Sequence, residues 1–417
     1  MKKLTTFIVS ILICIASFAQ DVEVVTVWGK AVDFISGEPL SRASVRVSGG
    51  NVGTVTNSEG VFSLKIPVAY ADGILSVDFL GYSMWHTEVS RMVGSTEENP
   101  HRIGMMKTYF RIDSAVVRSI EPLELLKYAY TRVYYNYPNH REATTAFYRE
   151  LIKKGSSKYL RLSEAVIDID KASYSGFGTD KAAVYKGRTM SNYDQTDSVL
   201  INYQGGVNAA LSLDQVHSPF AGVPWRYVDM FYDFRMEEPQ NIGDRMFYVV
   251  SFDQKPTEKD MLCRGRVFID TETYAIGRFE GWDNVEGRPY AYTEYIKEKP
   301  KDTQVAMKEV AWVMNYKESG GKWYLDYSSL SFQMNVRRAG KLLRNTYSIV
   351  SEMAVTDHYP GELEITGSAR IRPRDQIAEL VNDFTDEAFW GTYNIIEPDQ
   401  SIEDAIRRII RSLRRRR

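Results

Sequence analysis

The most regular pattern in this chain is an alternation of apolar and polar residues near its N-terminal end. It runs through residues 42–47 and again through residues 61–66. A period of two is typical of a β-strand with one buried face. The apolar positions are Ala43, Val45, Val47, Phe62, Leu64 and Ile66.

Turn residues separate these two strands from each other and from their neighbours. Ser48–Asn51 and Asn57–Gly60 combine Asn with Gly, the residues that tight hairpin turns require. Residues 24–33 and 73–82 supply two further strands. Turn signals about every ten residues predict a small β-sandwich.

Five short motifs in this region carry a family resemblance: "GEPL" (37–40), "ASVRV" (43–47), "GTVTN" (53–57), "EGVFSL" (59–64) and "LGY" (80–82). Together they resemble the carboxypeptidase-regulatory-like domain, a transthyretin-type seven-stranded β-sandwich frequent in Bacteroidetes envelope proteins. The resemblance covers residues 22–108 and implies an accessory module without catalytic residues.

One amphipathic helix follows. Pro122 stands where a first helical turn tolerates proline, and apolar residues recur at helical spacing until Pro138 stops the pattern. The apolar positions are Leu125, Leu126, Ala129, Tyr130 and Val133.

Three long hairpins dominate the rest of the chain. They turn at residues 155–157, 271–273 and 318–321 and predict a large curved antiparallel sheet or half-barrel. Residues 192–243 are less regular and are expected to form long loops over one face.

This region carries two weaker resemblances. "NYP" (136–138), "FYRE" (147–150), "EAV" (164–166) and "GRVFIDTETYAI" (265–276) resemble uncharacterised Bacteroidetes envelope proteins that begin with the same regulatory-like domain. The pattern from Tyr248 to Ile276 is also similar to periplasmic lipoprotein-carrier half-barrels, which shelter acyl chains in an apolar concavity.

The chain ends in a basic amphipathic pattern over residues 401–417. Ser401 and Asp404 predict a capping box, and isoleucines line one face of the helix. Arg407, Arg408 and Arg411 make the other face a candidate for an anionic membrane surface. The alternative is a helix packed on the sheet with a solvated basic tail.

The first residues indicate export. Lys2 and Lys3 precede an apolar run that ends at Ala19, the pattern of a secretory signal peptide; lipidation at Cys14 is the alternative. A formal net charge of -2 argues against a general nucleic-acid binder. Abundant tyrosine, 27 residues, favours β structure.

Carboxylates offer the only candidate catalytic spacing. Asp168 and Asp170 share a strand face about 6–7 Å apart, a spacing that suits inverting glycoside hydrolysis or a hard cation, although the alternation around them favours a solvent-facing pair. Arg149 and Glu150 are candidates for a buried ion pair or a ligand contact. The sequence holds no HExxH, GxSxG or GxxxxGK[ST] motif, and we assign no catalytic, cofactor or metal residue.

These patterns predict a mainly β protein. The expected parts are a signal peptide (1–19), a regulatory-like β-sandwich (20–108), a linker strand and helix (109–138), an antiparallel β-rich domain (139–400) and the C-terminal helix (401–417). The expected function is a non-enzymatic role in the periplasm or at the outer membrane, binding lipid or an outer-membrane protein. The alternatives are a carboxylate-dependent hydrolase and a receptor-associated component of nutrient uptake.

Overall fold

The computed structural model describes residues 23–407 except 49–50, 109–119, 156–157, 177, 192–205, 218, 297–298, 341–343, 368, 374, 384–386 and 405. The predicted signal peptide, the strand of the linker, and Arg408 and Arg411 lie outside the described residues. The described part is mainly β, with large antiparallel sheets and few helices. No helix within it is both long and apolar enough to cross a membrane.

Residues 24–108, which we call the N-terminal module, form two sheets around one hydrophobic cluster. The strand orders are β4-β1-β7 and β3-β2-β5-β6. The strands are β1 (Val24–Asp33), β2 (Ser44–Val47), β3 (Gly53–Val55), β4 (Val61–Pro67), β5 (Ile74–Asp78), β6 (Trp85–Glu88) and β7 (His101–Met105). All six apolar residues of the two alternating runs are buried, as the pattern predicts.

The turn before β4 shows why glycine is required there. Gly60 has φ +75°, and a Cβ at this position would lie 2.4 Å from the carbonyl oxygen of Ala31. Both the conformation and the lack of space exclude other residues. The Asn57 side chain accepts hydrogen bonds from the N–H groups of Glu59 and Val61, which confirms the predicted turn.

The remaining strands form one 11-stranded sheet with the order β11-β12-β13-β14-β15-β16-β17-β8-β9-β10-β18. Neighbouring strands run antiparallel except β10 and β18. The strands are β8 (Glu142–Lys154), β9 (Lys158–Lys171), β10 (Lys181–Ser191), β11 (Tyr232–Ile242), β12 (Arg245–Gln254), β13 (Cys263–Asp270), β14 (Ile276–Asp283), β15 (Thr303–Ser319), β16 (Lys322–Arg338), β17 (Asn345–Pro360) and β18 (Asn382–Asp383). The three predicted hairpins are present as β8–β9, β13–β14 and β15–β16.

One face of this sheet, the inner face, is covered by helices. The predicted helix is split into α1 (Pro122–Thr131) and α2 (Val133–Asn136), and three short helices follow: α3 (Val207–Ser212), α4 (Val228–Phe231) and α5 (Ile377–Leu380). Leu125, Leu126 and Phe220 share one hydrophobic cluster with the sheet residues Tyr148 and Ile167. The prediction of long loops over 192–243 needs correction, because residues 232–242 are the edge strand β11.

The opposite, outer face carries the N-terminal module and residues 389–402, which we call the C-terminal segment. Trp390, Ile395 and Ile396 of this segment pack with Phe147 of β8 and Val55 of the module. The segment also bonds the module directly, since Thr54 donates to the carbonyl of Ile395 at 2.8 Å. The module is therefore docked partly through the last part of the chain.

The C-terminal helix begins differently from the prediction. Residues 400–404 and 406–407 are helical, but the capping side chain is Asp399, whose Oδ1 accepts a hydrogen bond from the N–H of Ile402 at 2.8 Å. Ser401 instead donates to Asp399. The other carboxylate oxygen of Asp399 accepts a hydrogen bond from Ser58 of the module. This bond fixes the Asp399 side chain at the position where it caps the helix.

Strand packing in β13 leaves no room for a side chain at Gly265. A Cβ there would lie 2.0 Å from the backbone oxygen of Glu280 and 2.7 Å from the Phe252 ring. We expect Gly265→Ala to lower the free energy of unfolding by about 1–3 kcal/mol, measured by urea denaturation, because backbone on the neighbouring strand must shift. Gly367→Ala is the control, since a Cβ at Gly367 meets nothing within 4 Å; equal stability losses in the two variants would contradict the steric argument.

Candidate functional site

Arg149 and Glu150 are adjacent in β8 and therefore point to opposite faces of the sheet. Arg149 lies on the outer face, where Nε and Nη2 donate to Oε1 of Glu164 at 2.8 and 2.6 Å. Glu150 lies on the inner face and accepts a hydrogen bond from Arg161 at 2.6 Å. Both residues form buried ion pairs, but with partners on β9 and not with each other.

Glu164 joins two guanidiniums on the outer face. Its second oxygen accepts a hydrogen bond from Nε of Arg188 on β10 at 2.8 Å. Burial alone would raise the pKa of Glu164, but the positive charges of Arg149 and Arg188 outweigh burial and hold it below its ordinary value. Among the described contacts, one carboxylate therefore serves two guanidiniums.

Arg149 also lines a cleft of about 580 Å³ between the three parts of the protein, which we call the Arg149 cleft. The module, the outer face of the sheet and the C-terminal segment each contribute to its lining. The volume lies within the range of small-molecule sites. Its apolar lining residues are Leu151, Val350, Ile396 and Ile402.

Two cations in this cleft are incompletely neutralised. The Nη1 atom of Arg149 has only a long contact, 3.5 Å, to the carbonyl of Glu397. Nζ of Lys153 lies 4.3 Å from the centre of the Tyr159 ring, and no described carboxylate forms an ion pair with it. Arg42, by contrast, is paired with Glu352 at 3.2 Å. Arg149 and Lys153 are therefore the cations best placed to receive an anion.

The cleft also contains two carboxylates with opposite pKa shifts. Burial raises the pKa of Glu397, and a hydrogen bond from Ser63 only partly offsets it. Burial also acts on Asp399, but hydrogen bonds from Ser58 and Ser401, together with the nearby positive charge of Lys153, outweigh it and lower the pKa of Asp399. The oxygens of Asp399 are occupied by these bonds and by the helix cap.

The structure does not bring Asp168 and Asp170 into this cleft. They do share a face of β9, but Asp170 is 1% exposed and is bonded by Arg141 at 2.7 Å and by Lys181 at 3.2 Å. Burial tends to raise the pKa of Asp170, but the hydrogen bonds from Arg141 and Lys181 lower it overall. Asp168 is half-buried, and burial raises its pKa. Asp170 has an ion-pairing role, and its two oxygens are not open to a ligand.

A second polar cluster is buried on the inner face around Lys171. Its Nζ lies 2.8 Å from Asp214 and 2.9 Å from Asp180, and Tyr174 and Tyr316 donate to Asp214 at 2.9 and 2.6 Å. The void beside Lys171 and Tyr174 measures only about 20 Å³. We interpret this cluster as structural, because its charges are paired and no room for a ligand remains.

The membrane-surface candidates are only partly described. Arg407 is exposed and pairs with Glu403 at 3.4 Å and Asp404 at 3.0 Å within its own helix. The same helix packs Ile402 and Ile406 against Leu151, Tyr159 and Leu162 of the outer face. The described turns therefore pack on the sheet with Arg407 toward solvent.

Sequence reasoning missed Glu164, Arg188 and Lys153. Glu164 faces Arg149 across the β8–β9 hairpin. A bulge between Ile152 and Lys153 shifts the register by one residue, so the turn alone predicts the wrong partner. Nothing local to the sequence shows that the C-terminal segment closes the cleft.

Comparison with known proteins does not identify a family for this chain. No family model and no curated protein matches the chain. Among solved structures, a LolA superfamily protein of Nitrosomonas europaea is similar at 12% identity and TM-score 0.23, over 60% of this chain and 96% of that one. A DUF1329 family protein of Desulfovibrio piger is similar at 13% identity and TM-score 0.23, over 57% of this chain and 94% of that one. TM-scores this low carry no argument about what this chain binds or does.

Proposed function

We propose that this chain is an exported, non-enzymatic binding protein of the cell envelope that holds an anionic amphiphile in the Arg149 cleft. The ligand class is a lipid with one acyl chain and a phosphate or carboxylate headgroup. The observation that carries the proposal is a cleft of about 580 Å³ in which two incompletely neutralised cations flank an apolar strip.

The spacing of β8 supports this ligand class. Arg149, Leu151 and Lys153 alternate on one face, so neighbouring members are about 6–7 Å apart. A headgroup bound by either cation leaves its chain next to Leu151, Val350 and Ile396. Guanidinium and ammonium groups both bind phosphate and carboxylate through charge-assisted hydrogen bonds.

In this proposal the N-terminal module acts as the accessory domain that its resemblance implies. It supplies Arg42, Asn57 and Ser58 to one wall of the cleft. Arg46 of the module donates to Asp326 of β16 and, at 3.2 Å, to the carbonyl of Val355 of β17, so that wall is fixed against the sheet. The ligand is placed on the outer face because helices already cover the inner face.

A carboxylate-dependent hydrolase is the second candidate. The observation that favours it is the opposite pKa shifts of Glu397 and Asp399 in one cleft, since such pairs supply an acid and a base. Asp399 already caps a helix and bonds two serines, so we rank binding first. Turnover of an ester or glycoside that is lost in Glu397→Gln would reverse the ranking.

We expect Lys153→Glu to weaken binding of 1-palmitoyl lysophosphatidic acid at least about 10-fold, or about 1.4 kcal/mol, in calorimetric titrations. The substitution replaces an attractive charge in the cleft with a repulsive one. Lys154→Glu is the matched control, because Lys154 lies over the Tyr347 ring on the inner face. Zwitterionic lysophosphatidylcholine should bind more weakly to the wild type. Equal affinity of both variants, or no preference between the two lipids, would contradict the proposal.

A further inference from the structure

Trp282 differs in its surroundings from four other tryptophans of the sheet and its helices, Trp225, Trp312, Trp323 and Trp390. Trp312, Trp323 and Trp390 are 4%, 3% and 5% exposed and belong to the core. Trp225 packs on Tyr130 with ring centres 4.7 Å apart. Trp282 is half-buried and lines a groove at the surface. Among these five, Trp282 is the one that lines the two surface depressions described next.

The groove lies on the outer face of the sheet, in the half formed by β11–β15. Phe279 of β14 points into the inner core, so Trp282, three residues later, is on the opposite face. Two adjoining depressions of about 520 and 450 Å³ both include Trp282, Asp253, Gln254 and Arg264 in their lining. Ala311 is the β15 residue paired with Trp282, and its small side chain leaves the indole uncovered on that side.

Hydrogen bonds fix the walls of this groove. Gln254 accepts bonds from the N–H of Leu262 at 3.0 Å and from Nδ2 of Asn284 at 3.1 Å, and it donates to the carbonyls of Glu258 and Asp260. Arg264 donates to Oδ1 of Asn284 at 3.0 Å. The loops after β12 and β14 are thereby joined, and the polar groups around Trp282 are held before any ligand arrives.

The polar lining is mixed in charge. The larger depression is lined by four basic residues, Lys255, Arg264, Arg288 and Lys308, and by five acidic residues, Asp253, Glu258, Asp283, Glu286 and Glu309. Asp253 is exposed, and its carboxylate makes no hydrogen bond or ion pair with the described residues. Such a surface offers donors and acceptors in similar number and attracts neither strong anions nor strong cations.

We propose that the Trp282 groove binds a neutral oligosaccharide. The indole gives an apolar plane for the C–H face of a sugar ring, and carboxylate, amide and guanidinium groups beside it match the hydroxyls at the ring edge. The site is separate from the Arg149 cleft and goes beyond the proposed lipid binding. It would attach the protein to a neutral glycan while the cleft holds its own ligand.

The test is calorimetric titration and affinity electrophoresis of the purified protein with the hexasaccharides of cellulose, xylan, laminarin, starch and chitin. We expect at least one to bind, with an affinity that is insensitive to salt between 50 and 500 mM. Trp282→Ala should weaken that binding at least 10-fold, and Trp282→Tyr should retain part of it. Asp253→Asn should weaken it several-fold without changing the fold, since no described contact depends on that carboxylate.

Tyr134→Ala is the control, because Tyr134 is 55% exposed and lies on α2 outside the groove. Tm and circular dichroism identify any variant that fails to fold. If the Trp282 variants fail to fold, the affinity of Asp253→Asn decides the test. The proposal is overturned if none of the five sugars binds, or if the Asp253 and Trp282 variants bind as tightly as wild type. Failure of lipid binding to the Arg149 cleft would leave this outcome unaffected.

Discussion

Replacing Lys171 with Met is expected to lower the free energy of unfolding by about 3–5 kcal/mol, because it leaves the buried carboxylate of Asp214 and the half-buried carboxylate of Asp180 without their ammonium partner. Lys171 is 6% exposed and Asp214 is 3% exposed, so water cannot replace the lost charge. Urea denaturation at pH 7.5 measures the loss.

The same variant should reverse the dependence of stability on pH. In the wild type, burial would raise the pKa of Asp214, but Lys171 outweighs it and lowers that pKa. A lowered pKa contributes stability above the ordinary value of about 3.9 that is lost as pH falls through the folded value. Without Lys171 burial dominates and raises the pKa, so acidification from pH 7.5 to pH 5 should stabilise the variant relative to the wild type.

Lys181→Met is the matched control for this effect. Lys181 is 41% exposed, and its partner Asp170 keeps the ion pair with Arg141. The loss should stay below about 1 kcal/mol. Comparable losses for Lys171→Met and Lys181→Met, or parallel pH profiles for Lys171→Met and wild type, would show that the inner cluster does not depend on its central charge.

The second large effect is expected for Glu164→Leu, which removes the carboxylate between two buried guanidiniums. Arg149 is 2% exposed and Arg188 is 8% exposed, so we expect a loss of about 3–5 kcal/mol in chemical denaturation. Because Nη2 of Arg149 also donates to the carbonyl of Ile396 at 2.6 Å, the C-terminal segment should become more accessible to limited proteolysis.

Two further variants distinguish the loss of charge pairing from the loss of side-chain packing as causes of the lower stability. Glu164→Leu combined with Arg149→Met should recover part of the stability, since one unpaired cation is then removed. Glu280→Leu is the control, because Glu280 also accepts bonds from two arginines, Arg266 and Arg278, but their side chains are 33% and 20% exposed. A loss for Glu280→Leu as large as that for Glu164→Leu would argue that burial of the guanidiniums is unimportant.

Local patterns predict most of the strands in this protein. The alternation in residues 42–47 and 61–66 and the turn at Asn57–Gly60 are local properties, and β2 and β4 lie where the pattern places them. Residues 232–242 were harder to predict as a strand, because Pro239 and a bulge between Glu237 and Gln240 interrupt the alternation of edge strand β11.

The candidate site was less predictable because the central strands are covered on both faces. In β8 and β9 apolar and charged residues are equally buried, so alternation no longer separates core from surface. Asp170 fits a solvent-facing position by pattern, yet Arg141 and Lys181 enclose it. The choice of Asp399 over Ser401 as helix cap likewise depends on Ser58, a residue distant in the sequence.

The position of the C-terminal segment also bears on the order in which parts of the fold can form. Strand β8 pairs with β17, with Glu142 opposite Pro360, and the C-terminal segment that packs against both module and sheet comes later still along the chain. Pairings so distant along the chain form slowly, and before the C-terminal segment packs, Trp390, Ile395 and Ile396 do not yet cover Phe147 and Val166. Until residues 390–396 pack, this apolar part of the outer face is open to association with other chains.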